Sequence, residues 1–332
     1  MGGLKLPLDK RTKLAKLTPH VVSSAIKVYT DLIDEWNLYL VSTGSKPVKA
    51  MHPTGSVTYY SKDLEEESSQ EYGDIDYLVA IHSEFDGTER DRRRDDARLR
   101  SKYESLFEMF LNEKRPRYVD IEETLRGSTP LMVMIKLPND TLVQVDTVIT
   151  FPRYSSWMKG RYTPQRGFKG YTIGNLYKAL GDYLVMSIGT EGVIVRLISG
   201  QRVASKFSRS KGVKTENISL DIENFLRDIA LYIINKNDIE EDTLLSNNPG
   251  VDPSDIDISQ FALGIKGLAN TLDRYKIYSK GEMLMQISKN YKAGLKKNVE
   301  NKRNRGLDDE SYDKLLKLNS TVTAIVDEKF GI

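Results

Sequence analysis

Asp74 and Asp76 stand one residue apart in Gly73-Asp74-Ile75-Asp76-Tyr77-Leu78-Val79, and Asp146 stands alone in Val143-Gln144-Val145-Asp146-Thr147-Val148-Ile149. Side chains alternate along a strand with period two, so two carboxylates at i and i+2 point to one face. A third carboxylate from a neighbouring strand would complete an oxygen cage for a divalent cation. Magnesium takes hard oxygen ligands, usually one or two carboxylates together with phosphate and water. Upstream, Gly55-Ser56 reads as a small turn able to hold the phosphates that such a cation grips. With two cations, one lowers the pKa of an attacking hydroxyl while the other stabilises a leaving pyrophosphate. In that scheme Asp74 and Asp76 hold both ions, and Asp146 ligates the one that activates the nucleophile. That is equipment suited to nucleotidyl transfer.

Each piece alone is common. A second triplet, Asp255-Ile256-Asp257, leads into a helix start, where carboxylates cap the first turn. A second Gly-Ser pair, Gly44-Ser45, sits where a helix should stop. Any single aspartate of the first set reads as a solvated edge residue or an ion-pair partner. Context separates that set from the decoys. Asp74 and Asp76 open an apolar strand, and Asp146 interrupts an otherwise apolar alternation. An unpaired charged carboxylate facing a core costs on the order of several kcal/mol, so Asp146 requires a cation, a basic partner or solvent.

The elements that must position these residues follow from hydrophobic period. Residues 13–43 read as a helix, with Val21, Ala25, Val28, Leu32 and Trp36 on one face. Tyr77 to Ile81 is fit for a buried strand. A second amphipathic helix, around 95–111, aligns Leu99, Tyr103, Leu106, Phe107 and Phe110. Leu131 to Ile149 reads as a hairpin turning at Leu137-Pro138-Asn139-Asp140, with Asp146 in its second strand. Asp221 to Ile234 is a further helix. The acidic segment 235–257 is interrupted by Asn247-Asn248-Pro249-Gly250 and reads as a boundary. Helical repeats follow it: Leu284, Ile287, Tyr291, Leu295 and Val299, then Tyr312, Leu315, Val322 and Ile325.

Composition narrows the alternatives. The 332 residues allow two domains, and a 39% hydrophobic, 29% charged chain with net charge +2 is ordinary for a globular protein. Zero cysteines exclude disulfides, thiolate zinc sites and a cysteine nucleophile, and three histidines make a histidine-built metal centre improbable. No apolar run reaches the roughly 20 residues that span a bilayer, and the start MGGLKLPLDKRTK lacks an apolar signal core. The expected location is the cytoplasm, with no membrane partner.

In Gly55-Ser56, Asp74-Ile75-Asp76 and Asp146, with a helix around 95–111 between the last two, the chain resembles the DNA polymerase β-like nucleotidyltransferase superfamily. The match covers about residues 20–150. Ser56 and Asp74 lie 18 positions apart, longer than the usual gap, and the insert carries Asp63, Glu65, Glu66, Glu67 and Glu71. Arg92-Arg93-Arg94-Asp95-Asp96 is similar to the Arg-Arg-Asp of bacterial-type CCA-adding enzymes but precedes the third aspartate instead of following it. These arginines read better as the coat of a solvated helix start. The arrangement looks closer to poly(A) polymerases, oligoadenylate synthases and bacterial cyclic-oligonucleotide synthases. The resemblance implies an α+β fold: a mixed sheet flanked by helices, then a mainly helical C-terminal domain. It implies magnesium, two ions with manganese as the alternative, at Asp74, Asp76 and Asp146, and a triphosphate at Gly55 and Ser56. The expected domains are a catalytic core over 1–150, a basic and aromatic region over 151–245, and a helical domain over 255–332.

Residues 147–181 supply the expected acceptor surface. They carry six basic side chains and no acidic one: Arg153, Lys159, Arg161, Arg166, Lys169 and Lys178. Phe151, Tyr154, Trp157, Tyr162, Phe168, Tyr171 and Tyr177 are interleaved with them. Cations attract phosphates, and aromatic faces stack on bases without reading sequence. A second acid-free stretch, 192–215, and the lysines and arginines of 280–306 add to the basic surface; each reads equally as a solvated face. The first expectation is template-independent addition to an RNA 3′ end. The alternatives are synthesis of a second-messenger, cyclic oligonucleotide from free triphosphates, and a non-catalytic nucleic-acid-binding protein on the same fold.

Overall fold

The structure, a computed structural model, describes residues 14–54, 57, 74–82, 89–126, 131–138, 140–152, 170–189, 192–197, 214–217, 225–239, 258–304 and 306–332. The chain is α+β and divides into two compact units, Met1–Ser155 and Ser156–Ile332. Among the described residues, no helix is long and apolar enough to cross a membrane.

The N-terminal unit opens with α1 (Pro19–Ser42). Thr18 caps it, its hydroxyl accepting from the Val21 N–H at 3.4 Å, and Pro19 fits the first turn, where no N–H partner is needed. The helix stops as the Gly44-Ser45 pair predicts. Gly44 takes φ +72°, and the N–H groups of Gly44 and Ser45 donate back to the carbonyls of Val41 and Leu40. The buried face is Val22, Ala25, Tyr29, Leu32, Ile33, Trp36, Tyr39 and Leu40. Val21 and Val28 therefore lose their expected core places to Val22 and Tyr29. Tyr29 wins its place by what it meets: its hydroxyl shares a 2.6 Å hydrogen bond with Thr147, and its ring packs 5.0 Å from that of Tyr77.

Four strands form a mixed sheet in the order β1-β2-β4-β3: β1 (Lys49–Thr54), β2 (Ile75–Ala80), β3 (Met132–Lys136) and β4 (Leu142–Thr150). β1 runs antiparallel to β2, β2 parallel to β4, and β3 antiparallel to β4. The β3–β4 hairpin turns where expected, with Asp140 at φ +60°. The parallel β2–β4 step needs a crossover, supplied by α2 (Glu89–Lys114) and the short α3 (Ile121–Arg126). α2 locks onto α1 through Trp36 against Phe107, ring centroids 4.7 Å apart, and Tyr39 against Phe110 at 5.6 Å. Tyr103, Phe107 and Phe110 are buried as the helical period predicts. Asp96 departs from the solvated helix start expected around it, being fully buried.

The C-terminal unit is mainly helical. It contains α4 (Gly170–Leu184), a three-stranded antiparallel sheet of β5 (Met186–Gly189), β6 (Gly192–Leu197) and β7 (Lys214–Asn217), then α5 (Phe225–Lys236), α6 (Ile258–Arg274), α7 (Lys280–Arg303) and α8 (Asp309–Phe330). One hydrophobic core joins Leu176 and Tyr177 of α4 to Phe225 and Ile229 of α5, Phe261 and Leu268 of α6, Tyr291 of α7 and Val326 of α8. The described residues on both sides of 240–257 thus share a core. Leu284, Ile287, Tyr291, Leu295 and Val299 line the buried face of α7, as their spacing predicts.

Candidate active site

Register across the sheet assembles the site. Thr54 of β1 pairs with Asp76 of β2, Asp76 with Asp146 of β4, and Asp146 with Met132 of β3, one row across all four strands. Adjacent strands lie about 4.8 Å apart, and paired residues share a face. Tyr77 and Thr147, the next residues along, meet Tyr29 of α1. Asp76 and Asp146 therefore point to the opposite face. Asp74 immediately precedes β2, two residues before Asp76.

The electrostatics report the same convergence. Burial pushes the Asp76 carboxyl up to about 8, and the negative charges of Asp74 and Asp146 push it the same way. Such a like-charge cluster favours either a retained proton or a bound cation. The charge of Asp146 is also felt at Tyr29, whose hydroxyl is driven above its ordinary range, mainly by burial. Asp146 is itself held: Gln144, two residues earlier on the same face, donates from Nε2 to Oδ1 at 2.8 Å. Gln144 is buried, and its Oε1 has no hydrogen-bond partner among the described residues; the same holds for the buried hydroxyl of Thr54.

Among the described residues, no three acidic or imidazole side chains stand as a ready-made metal-binding group. Register pairs Asp76 with Asp146, and Asp74, the residue before β2, is near enough for its charge to act on Asp76. As a donor set they fit a hard divalent cation: carboxylate oxygens, with a proton on Asp76 that a cation would displace.

The other expected residues divide in two. Gly55 and Ser56, which follow Thr54 in sequence, lie outside the described residues, as do Lys159, Arg161, Arg166 and Lys169. Lys178 is exposed on α4, and its charge opposes the upward push that burial gives the Asp182 carboxyl. Of the interleaved aromatics, Tyr154, Trp157, Tyr162 and Phe168 also lie outside the described residues, and the other three serve packing. Phe151 and Tyr177 are buried, Tyr177 against Phe225 and Phe261 at 5.2 and 4.4 Å. Tyr171 donates to Asn319 at 2.7 Å and lies beneath Lys302. These three are not free stacking faces for bases, because α4 turns them toward the C-terminal core or, for Phe151, into the core of the N-terminal unit. On α7, Lys292 pairs with Asp327 at 2.6 Å, so part of that basic surface is internally neutralised.

Sequence spacing alone overlooked Thr54 and Gln144. Gln144 was legible by period two from Asp146; Thr54 required the β1–β2 register.

No protein-family model matches the chain, and no curated protein or solved structure matches it.

Proposed function

We propose that the chain is a metal-dependent nucleotidyltransferase of the DNA polymerase β-like kind, moving a nucleoside monophosphate from a triphosphate to a hydroxyl. The observation that carries this reading is the pairing of Asp76 with Asp146 across parallel strands, with Asp74 close enough for its charge to act on Asp76. Burial and the negative charges of Asp74 and Asp146, which raise the Asp76 carboxyl, support it.

Asp74 and Asp76 would hold the triphosphate through divalent cations, with Gly55 and Ser56 as the expected phosphate turn. Asp146 orients the acceptor hydroxyl. The hydroxyl oxygen bonds to the α-phosphorus, the bond from that phosphorus to the bridging oxygen breaks, and pyrophosphate leaves with the electron pair. The hydroxyl proton passes to the Asp146 carboxylate and on to water. Divalent cations held there would supply positive charge at the phosphates and lower the pKa of the hydroxyl. Gln144 keeps Asp146 in place through this step.

The first acceptor we propose is an RNA 3′ end. A free nucleotide, giving an oligonucleotide second messenger, is the second reading. The burial of Phe151 and Tyr177 favours it, since both are withdrawn from base stacking. Equilibrium binding of each labelled triphosphate tests the donor half. We expect binding with magnesium and a loss of at least tenfold in chelator or in Asp74→Asn/Asp76→Asn. Equal binding under all three conditions would overturn the reading. If RNA binds while no triphosphate does, the chain is a nucleic-acid-binding module.

A further inference from the structure

Gln144 uses one end of its carboxamide and leaves the other without a partner among the described residues. Its Nε2 donates to Asp146 Oδ1 at 2.8 Å, which fixes the side chain on the face of β4 that carries the carboxylate. Its Oε1 is sealed from solvent, in a residue only 5% exposed. Ile75 pairs with Val145, so Gln144 stands level with Asp74, the residue that leads into β2. The carboxylates that register gathers here accept hydrogen bonds when ionised. A carboxamide oxygen can only accept, and a buried one left without a donor carries the full cost of its desolvation. The buried hydroxyl of Thr54, across β2 on the other side of Asp76, makes no such demand, because a hydroxyl can also donate.

We propose that Gln144 Oε1 accepts from a water carried by the divalent cation between Asp76 and Asp146, and so selects magnesium over calcium there. The proposal rests on the nucleotidyl-transfer reading and adds which cation its site prefers, and through which atom. A side chain bonded to a ligating carboxylate stands one bond out from the ion, where hydration water lies. The cation's waters bring the hydrogens that Oε1 lacks. Magnesium dehydrates reluctantly and keeps several waters when few carboxylates hold it, whereas calcium takes more oxygens directly and in flexible geometry. A fixed outer acceptor therefore serves magnesium and gives calcium little. The carboxamide does two jobs at once: Nε2 orients the ligating carboxylate, and Oε1 orients the water beside it.

The test is calorimetric titration of the full chain with magnesium chloride or calcium chloride alone, each variant first shown by urea titration to be folded. Loss of magnesium binding in Asp146→Asn locates the ion. Gln144→Met removes both ends of the amide at nearly constant volume. Its magnesium affinity should fall about tenfold or more, the loss typical of an outer-shell partner, while calcium affinity stays within about twofold. Gln144→Glu keeps an acceptor oxygen and gives up the donor, so it should bind magnesium at least as tightly as wild type. Unchanged magnesium affinity in Gln144→Met would overturn the proposal. An equal loss for calcium would overturn it too, making Oε1 a direct ligand or Gln144 a prop for Asp146 alone. So would a loss in Gln144→Glu as large as in Gln144→Met, or magnesium binding that Asp146→Asn leaves untouched. The transfer reading survives the failures in the Gln144 variants, since the aspartates still hold an ion. Wild-type protein that binds no magnesium, with or without ATP, refutes both.

Discussion

Asp76 carries the sharpest electrostatic consequence. Its carboxyl is raised from an ordinary 3.8 to about 8 by burial and by Asp74 and Asp146. The unfolded chain ionises this group first as pH rises, so the metal-free fold loses stability between about pH 4 and pH 8. Below that window both states hold the proton and the penalty vanishes. The loss is on the order of a few kcal/mol. Asp76→Asn should flatten that part of the stability–pH curve, as urea titrations at pH 5 and pH 8 would show. The same proton must leave when a cation binds, so magnesium affinity should rise with pH up to about 8. Calorimetry at pH 7 in two buffers of different ionisation enthalpy should detect proton release. Gln144 supplies a second residue-level prediction. Gln144→Met keeps the volume but removes the donor to Asp146 Oδ1, so turnover should fall about tenfold with triphosphate binding unchanged, the loss expected for one hydrogen bond to a charged group. Retention of activity in Gln144→Asn, which keeps an amide, separates positioning from packing.

At the scale of elements, the site depends on β4 being held from behind. Tyr29 of α1 bonds Thr147, the residue after Asp146. Tyr29→Phe leaves the Thr147 hydroxyl buried and should cost about 1–3 kcal/mol in urea unfolding. The two strands bearing the aspartates were legible, since each is a short apolar run that a carboxylate interrupts, and the hairpin turn is written in Pro138 to Asp140. The pairing of β2 with β4 was not derivable from period: parallel neighbours separated by a crossover leave no local trace, so only the resemblance implied it. The face of α1 was misjudged at Val21 and Val28 because tyrosine, with a polar tip, does not announce itself as core; at Tyr29 the Thr147 partner is what permits burial. Of the aromatics of 147–181, Phe151 and Tyr177 are core residues for a related reason. Composition counts Phe151 and Tyr177 without knowing which way α4 and the end of β4 turn them.

For the whole molecule, the candidate chemistry lies within one unit, and the helical unit has a core of its own. Damage to the second core should therefore leave the carboxylate site's cation binding intact. Gly181 of α4 offers a clean test. A Cβ there would fall 2.6 Å from the backbone carbonyl oxygen of Met186, so Gly181→Ala must displace the start of β5. The expected cost is about 1–3 kcal/mol by denaturant titration, with magnesium binding at the aspartates unchanged. Loss of both would mean that the two units act as one cooperative body.

The most direct measurement is incubation with each nucleoside triphosphate labelled at the α-phosphate, with magnesium, with and without RNA, beside Asp146→Ala. We predict label transferred to a hydroxyl acceptor with release of unlabelled pyrophosphate, abolished in Asp146→Ala although that variant still binds triphosphate. Label that stays in free triphosphate under every condition, with magnesium or manganese, would contradict the account.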